Sequence, residues 1–139
     1  MSKGITRERT GQLLQALFRV LIANPDGIQA REAIDNVAEQ VALTDHEAGE
    51  YETGGRRFDK ILRFATVDAV KAGWMTKNKG VWAITDAGTN ALTKFKNPEE
   101  FYREASRLYR KWRQSQPDEE TIEDSSQEKA ASITLEEVG

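Results

Sequence analysis

Cysteine is missing from the 139 residues, and histidine occurs once, at position 46. The first absence removes disulfides, thiolate metal sites and thiol nucleophiles together. The second leaves His46 without the companion imidazole or thiolate that a zinc site needs. It lies among Asp45, Glu47 and Glu50, and an exposed loop residue is the simpler expectation. Proline is scarce as well, standing only at 25, 98 and 117, where it punctuates elements rather than building a stiff linker. No apolar run approaches the roughly 20 residues of a spanning helix, and no signal-peptide apolar region follows Met1. The carboxylates around His46 have no cleft to work in, and Gly54-Gly55 lacks the spacing of a phosphate-cradling loop. The chain is therefore expected to be globular and cytoplasmic, with no membrane partner, no catalytic residue, no metal and no cofactor.

What is abundant is charge, and it is segregated. The whole chain carries a net charge of -3. From Asp118 onward there are eight acidic residues (Asp118, Glu119, Glu120, Glu123, Asp124, Glu128, Glu136, Glu137) against Lys129, which leaves 19 bases and 15 acids before them, a net of +4. Between Gly54 and Gly80 seven bases face only Asp59 and Asp68. A compact positive patch suits a polyanion, although a solvated helix face has the same composition.

The apolar spacing orders the elements. Leu13, Leu14, Leu17, Phe18 and Leu21 recur at helical intervals over residues 7–23, and Asn24-Pro25-Asp26-Gly27 stops them. Ile28 adds at most a short strand. A second helix is predicted over 30–43, with Ile34, Val37, Ala38 and Val41 inward, followed by a polar connection over 44–55. A third helix over 56–72 turns Phe58, Ile61, Leu62, Ala65 and Ala69 inward. At about 100° per residue its opposite face carries Arg56, Lys60, Arg63, Val67 and Lys71, and Gly73 suits its end. Two strands, 74–77 and 81–84, flank Asn78-Lys79-Gly80, read as a three-residue bulged turn. Thr85 caps a short helix over 86–94. Asn97 and Pro98 open a last helix to about Gln116, and an acidic tail lacking aromatics follows.

Three helices, a hairpin and further helix make the order of a winged helix-turn-helix, a mainly α fold with a minor β part. It has a three-helix core, a two-stranded wing and a C-terminal helix. In that arrangement the third helix is offered to the major groove of DNA and the hairpin tip to the backbone or minor groove. Arginine can donate two hydrogen bonds to a guanine edge, while lysines hold phosphates. Arg56 and Arg63 are the expected base readers; Lys60, Lys71, Lys77 and Lys79 neutralise phosphates, with Arg57 and Asn78 adding contacts. Trp74 and Trp82 could stack on an extruded base, but filling the space between hairpin and third helix is the plainer role. Phe64 points about 120° away from the apolar centre of its helix, where it either packs at the flank or contacts the groove.

Several blocks carry a resemblance: Gly54-Gly55-Arg56-Arg57-Phe58-Asp59-Lys60-Ile61, Val70-Lys71-Ala72-Gly73-Trp74-Met75, and Lys79-Gly80-Val81-Trp82-Ala83-Ile84-Thr85-Asp86-Ala87-Gly88. Over about Leu13–Leu92 the chain resembles the N-terminal winged-helix domain of Mrr-type restriction endonucleases, which belong to modification-dependent (type IV) bacterial restriction. The resemblance implies a domain that recognises DNA while a separate C-terminal domain cuts it. Recognition would fall to Arg56–Lys71 and the Lys77–Gly80 tip. A nuclease domain of that kind needs a metal-binding acid and, further on, an acid, one residue and a lysine. The Pro-Asp pairs at 25–26 and 117–118 have no such partner, and Glu128-Lys129 lacks the spacer.

The expected organisation is a winged-helix DNA-binding domain over 1–95, a packing or dimerising helix over 96–116, and a disordered acidic tail or linker over 117–139. The aromatic spacing of Phe101, Ala105, Leu108 and Trp112 leans towards a homodimer through the 98–114 helix. The partner is double-stranded DNA, with modified bases brought in by the resemblance. The rival readings are a DNA-binding transcriptional regulator and a winged-helix protein-interaction module.

Overall fold

The computed structural model describes residues 6–116. The tail expected over 117–139 lies outside them. Helix α1, Arg7–Ala23, begins where the Thr6 hydroxyl accepts from the Arg9 amide at 3.0 Å. It ends where Asn24 turns its side-chain amide back onto the Val20 carbonyl at 2.9 Å. Its stripe of Leu13, Leu14, Leu17, Phe18 and Leu21 is fully buried and forms the spine of the core.

Strand β1, Ile28–Gln29, leads into helix α2, Ala30–Gln40. The helix stops three residues short of the sequence expectation because Val41 is already extended. That geometry frees Thr44 to cap a one-turn helix α3, Asp45–Ala48, in the stretch expected to be an unstructured connection. The cap is reciprocal. Thr44 Oγ1 accepts from the Glu47 amide at 3.1 Å, and the Glu47 carboxylate accepts from the Thr44 amide at 3.0 Å. His46 is therefore half-buried on a helix rather than exposed on a loop, and its Nε2 is buried without a hydrogen bond. Among the described residues no cluster of His, Asp or Glu could hold a metal ion.

Gly54 and Gly55, both near φ +92°, reverse the chain into helix α4, Arg57–Lys71. They form a bonded turn, with the Tyr51 amide donating to the Gly55 carbonyl at 3.0 Å. Gly73, at φ +83°, closes α4 as expected: the Trp74 amide reaches the Ala69 carbonyl and the Gly73 amide reaches that of Val70.

Strands β2, Met75–Asn78, and β3, Val81–Ile84, form the hairpin, and β1 joins it to give the sheet order β1-β3-β2, all antiparallel. The wing thus has a third strand. Its turn has two residues instead of three, because Asn78 pairs with Val81 within the ladder. Lys79 and Gly80 both take positive φ, +53° and +83°, which is the backbone that matches the twist of a tight hairpin. Helices α5, Asp86–Lys94, and α6, Pro98–Ser115, start at Thr85 and Asn97 as expected.

The aromatic seam of α6 packs inside the chain. Phe101 meets Phe18 edge-on at 5.4 Å between centroids and Trp74 at 5.0 Å. Phe101, Tyr102, Ala105 and Tyr109 are buried. Gly11 permits this closeness, since a Cβ there would run into the Pro98 carbonyl, and Gly88 likewise lets α5 close on the Trp74 backbone. Asp68 of α4, fully buried, accepts from Ser106 Oγ at 3.3 Å and from the Tyr102 phenol, tying α6 to α4. Burial and the neighbouring Asp68 charge push the phenol's pKa up, so Tyr102 stays a donor. The result is a mainly α fold with a small antiparallel sheet.

Candidate nucleic-acid interface

The central strand β3 places Trp82 almost wholly inside, 2% exposed, paired with Ile28 of β1 on one side and Lys77 of β2 on the other. Two cations from different elements then settle on its ring. The Arg63 guanidinium of α4 lies 5.7 Å from the ring centroid, and the Lys77 ammonium of β2 lies 5.2 Å from it. A ring face attracts cations through its quadrupole, so one buried aromatic holds a helix cation and a wing cation on a shared surface. Lys60 stands one turn before Arg63 on α4, and Asn78 and Lys79 are exposed at the hairpin turn. The wing turn is also braced from behind, since the Gly80 carbonyl accepts from the Ala30 amide at the start of α2, at 2.9 Å.

The remaining cations of the sequence expectation go elsewhere. Arg56, at the N-terminal boundary of α4, donates to Asp59 at 3.0 Å and reaches Asp35 of α2 at 3.4 Å. Arg31 binds the same two carboxylates at 3.0 Å each. Its pKa is raised by the hydrogen bond to Asp59 and then by that to Asp35. Two guanidinium and two carboxylate groups therefore neutralise one another where α2 meets α4. Arg57 turns the opposite way, over the Tyr51 ring at 5.5 Å and onto the His46 carbonyl at 3.3 Å. Lys71 leaves the group at the far end of α4, its ammonium 4.4 Å from the Trp112 ring of α6. Val67, on the supposedly open face between Arg63 and Lys71, is only 4% exposed. The solvent-facing stretch of α4 is accordingly its N-terminal half.

Helical spacing places cations on a cylinder but carries no information about which neighbour sits beside them. Asp35 comes from a different helix, and no signal within residues 56–72 could have disclosed its claim on Arg56. The tryptophans follow the plainer expectation. Trp74, 4% exposed, packs on Phe18 and Phe101, and neither ring offers a face to an extruded base. Sequence reasoning also passed over the basic end of α6, where Arg107, Arg110, Lys111 and Arg113 fall within seven residues with no acid between them. A simple count of charge along that helix would have found it.

Among the described residues no helix is long and apolar enough to cross a membrane. No curated protein and no solved structure matches the chain. The family model of the Mrr N-terminal domain matches residues 11–94, from the second turn of α1 to the end of α5 and more than half of the chain. A domain of this kind is not by itself a nuclease domain. The chain belongs to the Mrr N-terminal domain family, the N-terminal domains of restriction-system proteins.

Proposed function

We propose that the chain is the DNA-recognition module of an Mrr-like restriction-system protein, reading duplex DNA with the N-terminal half of α4 and the wing. The observation that carries this reading is the meeting of Arg63 and Lys77 over Trp82, which aligns a helix that fits the major groove with a hairpin beside it. In this mechanism Arg63 reads a base edge with paired donors. Lys60, Lys77 and Lys79 sit on phosphates, which position without reading sequence. Asn78 adds a polar contact at the wing. Arg56, held by Asp35 and Asp59, fixes how α4 enters rather than reading a base itself, while Arg57 and Lys71 support the two ends.

Two copies pairing through the 98–114 helix would have to use Leu108, Trp112 and the charged outer side, because most of its aromatic seam is buried against α1 and the core. A restriction role implies the cytoplasm, and modified bases are the natural ligands to compare. The test is fluorescence anisotropy with plain, methylated and hydroxymethylated duplexes on the wild-type chain and a Lys60→Gln/Arg63→Gln variant. Loss of about tenfold or more in affinity is expected, since a good base contact contributes about 1–3 kcal/mol. Unchanged binding by the variant would remove α4 from the interface, and no binding by the wild type would leave a protein-interaction module as the better reading.

A further inference from the structure

The basic end of α6 lies outside the surface just described, and the contact between Lys71 and Trp112 connects the two. Lys71 is the last residue of α4, and its ammonium rests on the Trp112 ring, which is itself stacked near Tyr109 with centroids 6.0 Å apart. On a helix the residues on either side of Trp112 point about 100° away from it to left and right. Lys111 and Arg113 therefore flank the ring that touches Lys71, and both are exposed. No carboxylate among the described residues pairs with either of them, whereas Arg103 and Arg107, further up the helix, are held by Glu99 and Glu104.

Distance decides what such a site can reach. From Lys60 to Lys71 the axis of α4 rises about 16 Å at 1.5 Å per residue. The major groove of B-DNA is about 12 Å wide, so an α4 that enters it by its N-terminal half, with Lys60 and Arg63 inside, carries its Lys71 end past the groove edge. What stands there is the phosphate backbone. We infer that Lys111 and Arg113 form a second, sequence-independent phosphate clamp, so that α6 extends the DNA contact of α4 across the groove wall. The occupant is duplex backbone because the site is cationic, adjoins the α4 surface through Lys71 and has no apolar opening. The inference rests on the proposed DNA reading and deepens it.

The test is the salt dependence of random-sequence duplex binding by the full chain. Removing one cation from a phosphate lowers the slope of log affinity against log salt by about 0.9. A Lys111→Gln/Arg113→Gln variant should therefore reduce the slope by about 2, equally for any sequence, with near-native circular dichroism. An Arg103→Gln/Arg107→Gln variant should leave the slope alone, since those cations are already paired. The same comparison is repeated with Asp118→Asn, Glu119→Gln and Glu120→Gln added. A slope change that vanishes in that background means the α6 cations hold the acidic tail and not DNA, which overturns the inference. So does an unchanged slope in the first variant while the wild type binds. Failure of the wild type to bind any duplex instead removes the reading beneath it.

Discussion

At the scale of single residues, the best-defined electrostatic contact is structural. Arg9 grips the Glu47 carboxylate with two nitrogens, at 2.8 and 2.9 Å, and spends a third bond on the Ala42 carbonyl. The Glu47 side chain is only 3% exposed. Burial pushes its pKa up, but the Arg9 hydrogen bond, the Thr44 amide and the Arg9 charge together outweigh it and hold the carboxyl below its usual range. The stabilisation is thus complete above the unfolded carboxylate value of about 4.3 and fades as pH falls through the lower folded value. Glu47→Gln should cost about 2 kcal/mol at pH 7, the scale of a hydrogen bond to a charged group. The gap from wild type, measured by urea denaturation, should narrow only below about pH 4. A gap that is constant from pH 7 to pH 3 would mean the contact does not form. Arg57 and Asp68 obey the same lesson: partly or fully buried polar groups in this chain brace the helices, Arg57 on the His46 carbonyl and Asp68 on Ser106.

At the scale of elements, α6 and α1 settle how the domain closes. Gly11 sits inside α1, where alanine ordinarily improves a helix by about 1 kcal/mol. Here the added methyl would strike the Pro98 carbonyl, and backbone cannot swing aside as a side chain can. Gly11→Ala should therefore lower stability by about 1–3 kcal/mol, the reverse of the propensity effect, with the shift read from the thermal midpoint. A stabilised variant would show that α6 does not dock on α1. The helices themselves were readable from sequence because each has its own local signal. Thr6, Thr85 and Asn97 all cap as side chains at helix starts, and Gly73 closes α4. Helix α3 escaped because four residues show no period, although Thr44 and Glu47 stand at capping-box spacing. The hairpin turn escaped because Lys79 takes the left-handed conformation that glycine or asparagine usually supplies. The partner of the α6 seam escaped for a different reason: an apolar stripe looks alike whether it meets its own chain or another copy, and only Gly11, facing Pro98, makes the intrachain choice concrete. The site was half readable. The cations of α4 and the wing were identifiable as such, but their sorting into Arg63 with Lys77, Arg56 with two aspartates, and Lys71 with Trp112 depends on contacts from α2, β3 and α6.

At the scale of the whole molecule, the proposed polyanion partner has to be reconciled with a net charge of -3, and the reconciliation lies in how the charges are distributed along the sequence. The eight acids from Asp118 onward oppose a body that is net positive. Charges separated by more than a Debye length, about 8 Å at physiological ionic strength and about 30 Å at 0.01 M, are largely screened from one another. In the proposed DNA reading the acids from Asp118 onward are therefore expected to repel the duplex at low salt and hardly at all under physiological conditions, whereas cations in direct contact with phosphates act at both. Counting Lys60, Lys77, Lys79, Lys111 and Arg113 on phosphates, the slope of log affinity against log salt should approach about -4.5. Neutralising Asp118, Glu119, Glu120, Glu123 and Asp124 to their amides should strengthen random-duplex binding severalfold near 0.02 M salt and change it little at 0.15 M, so that the log-log plot steepens. Titrations of both proteins across that range read the difference directly. Parallel plots, with the same gain at every salt concentration, would mean that the tail occupies the DNA-binding surface at close range instead of repelling the duplex from a distance.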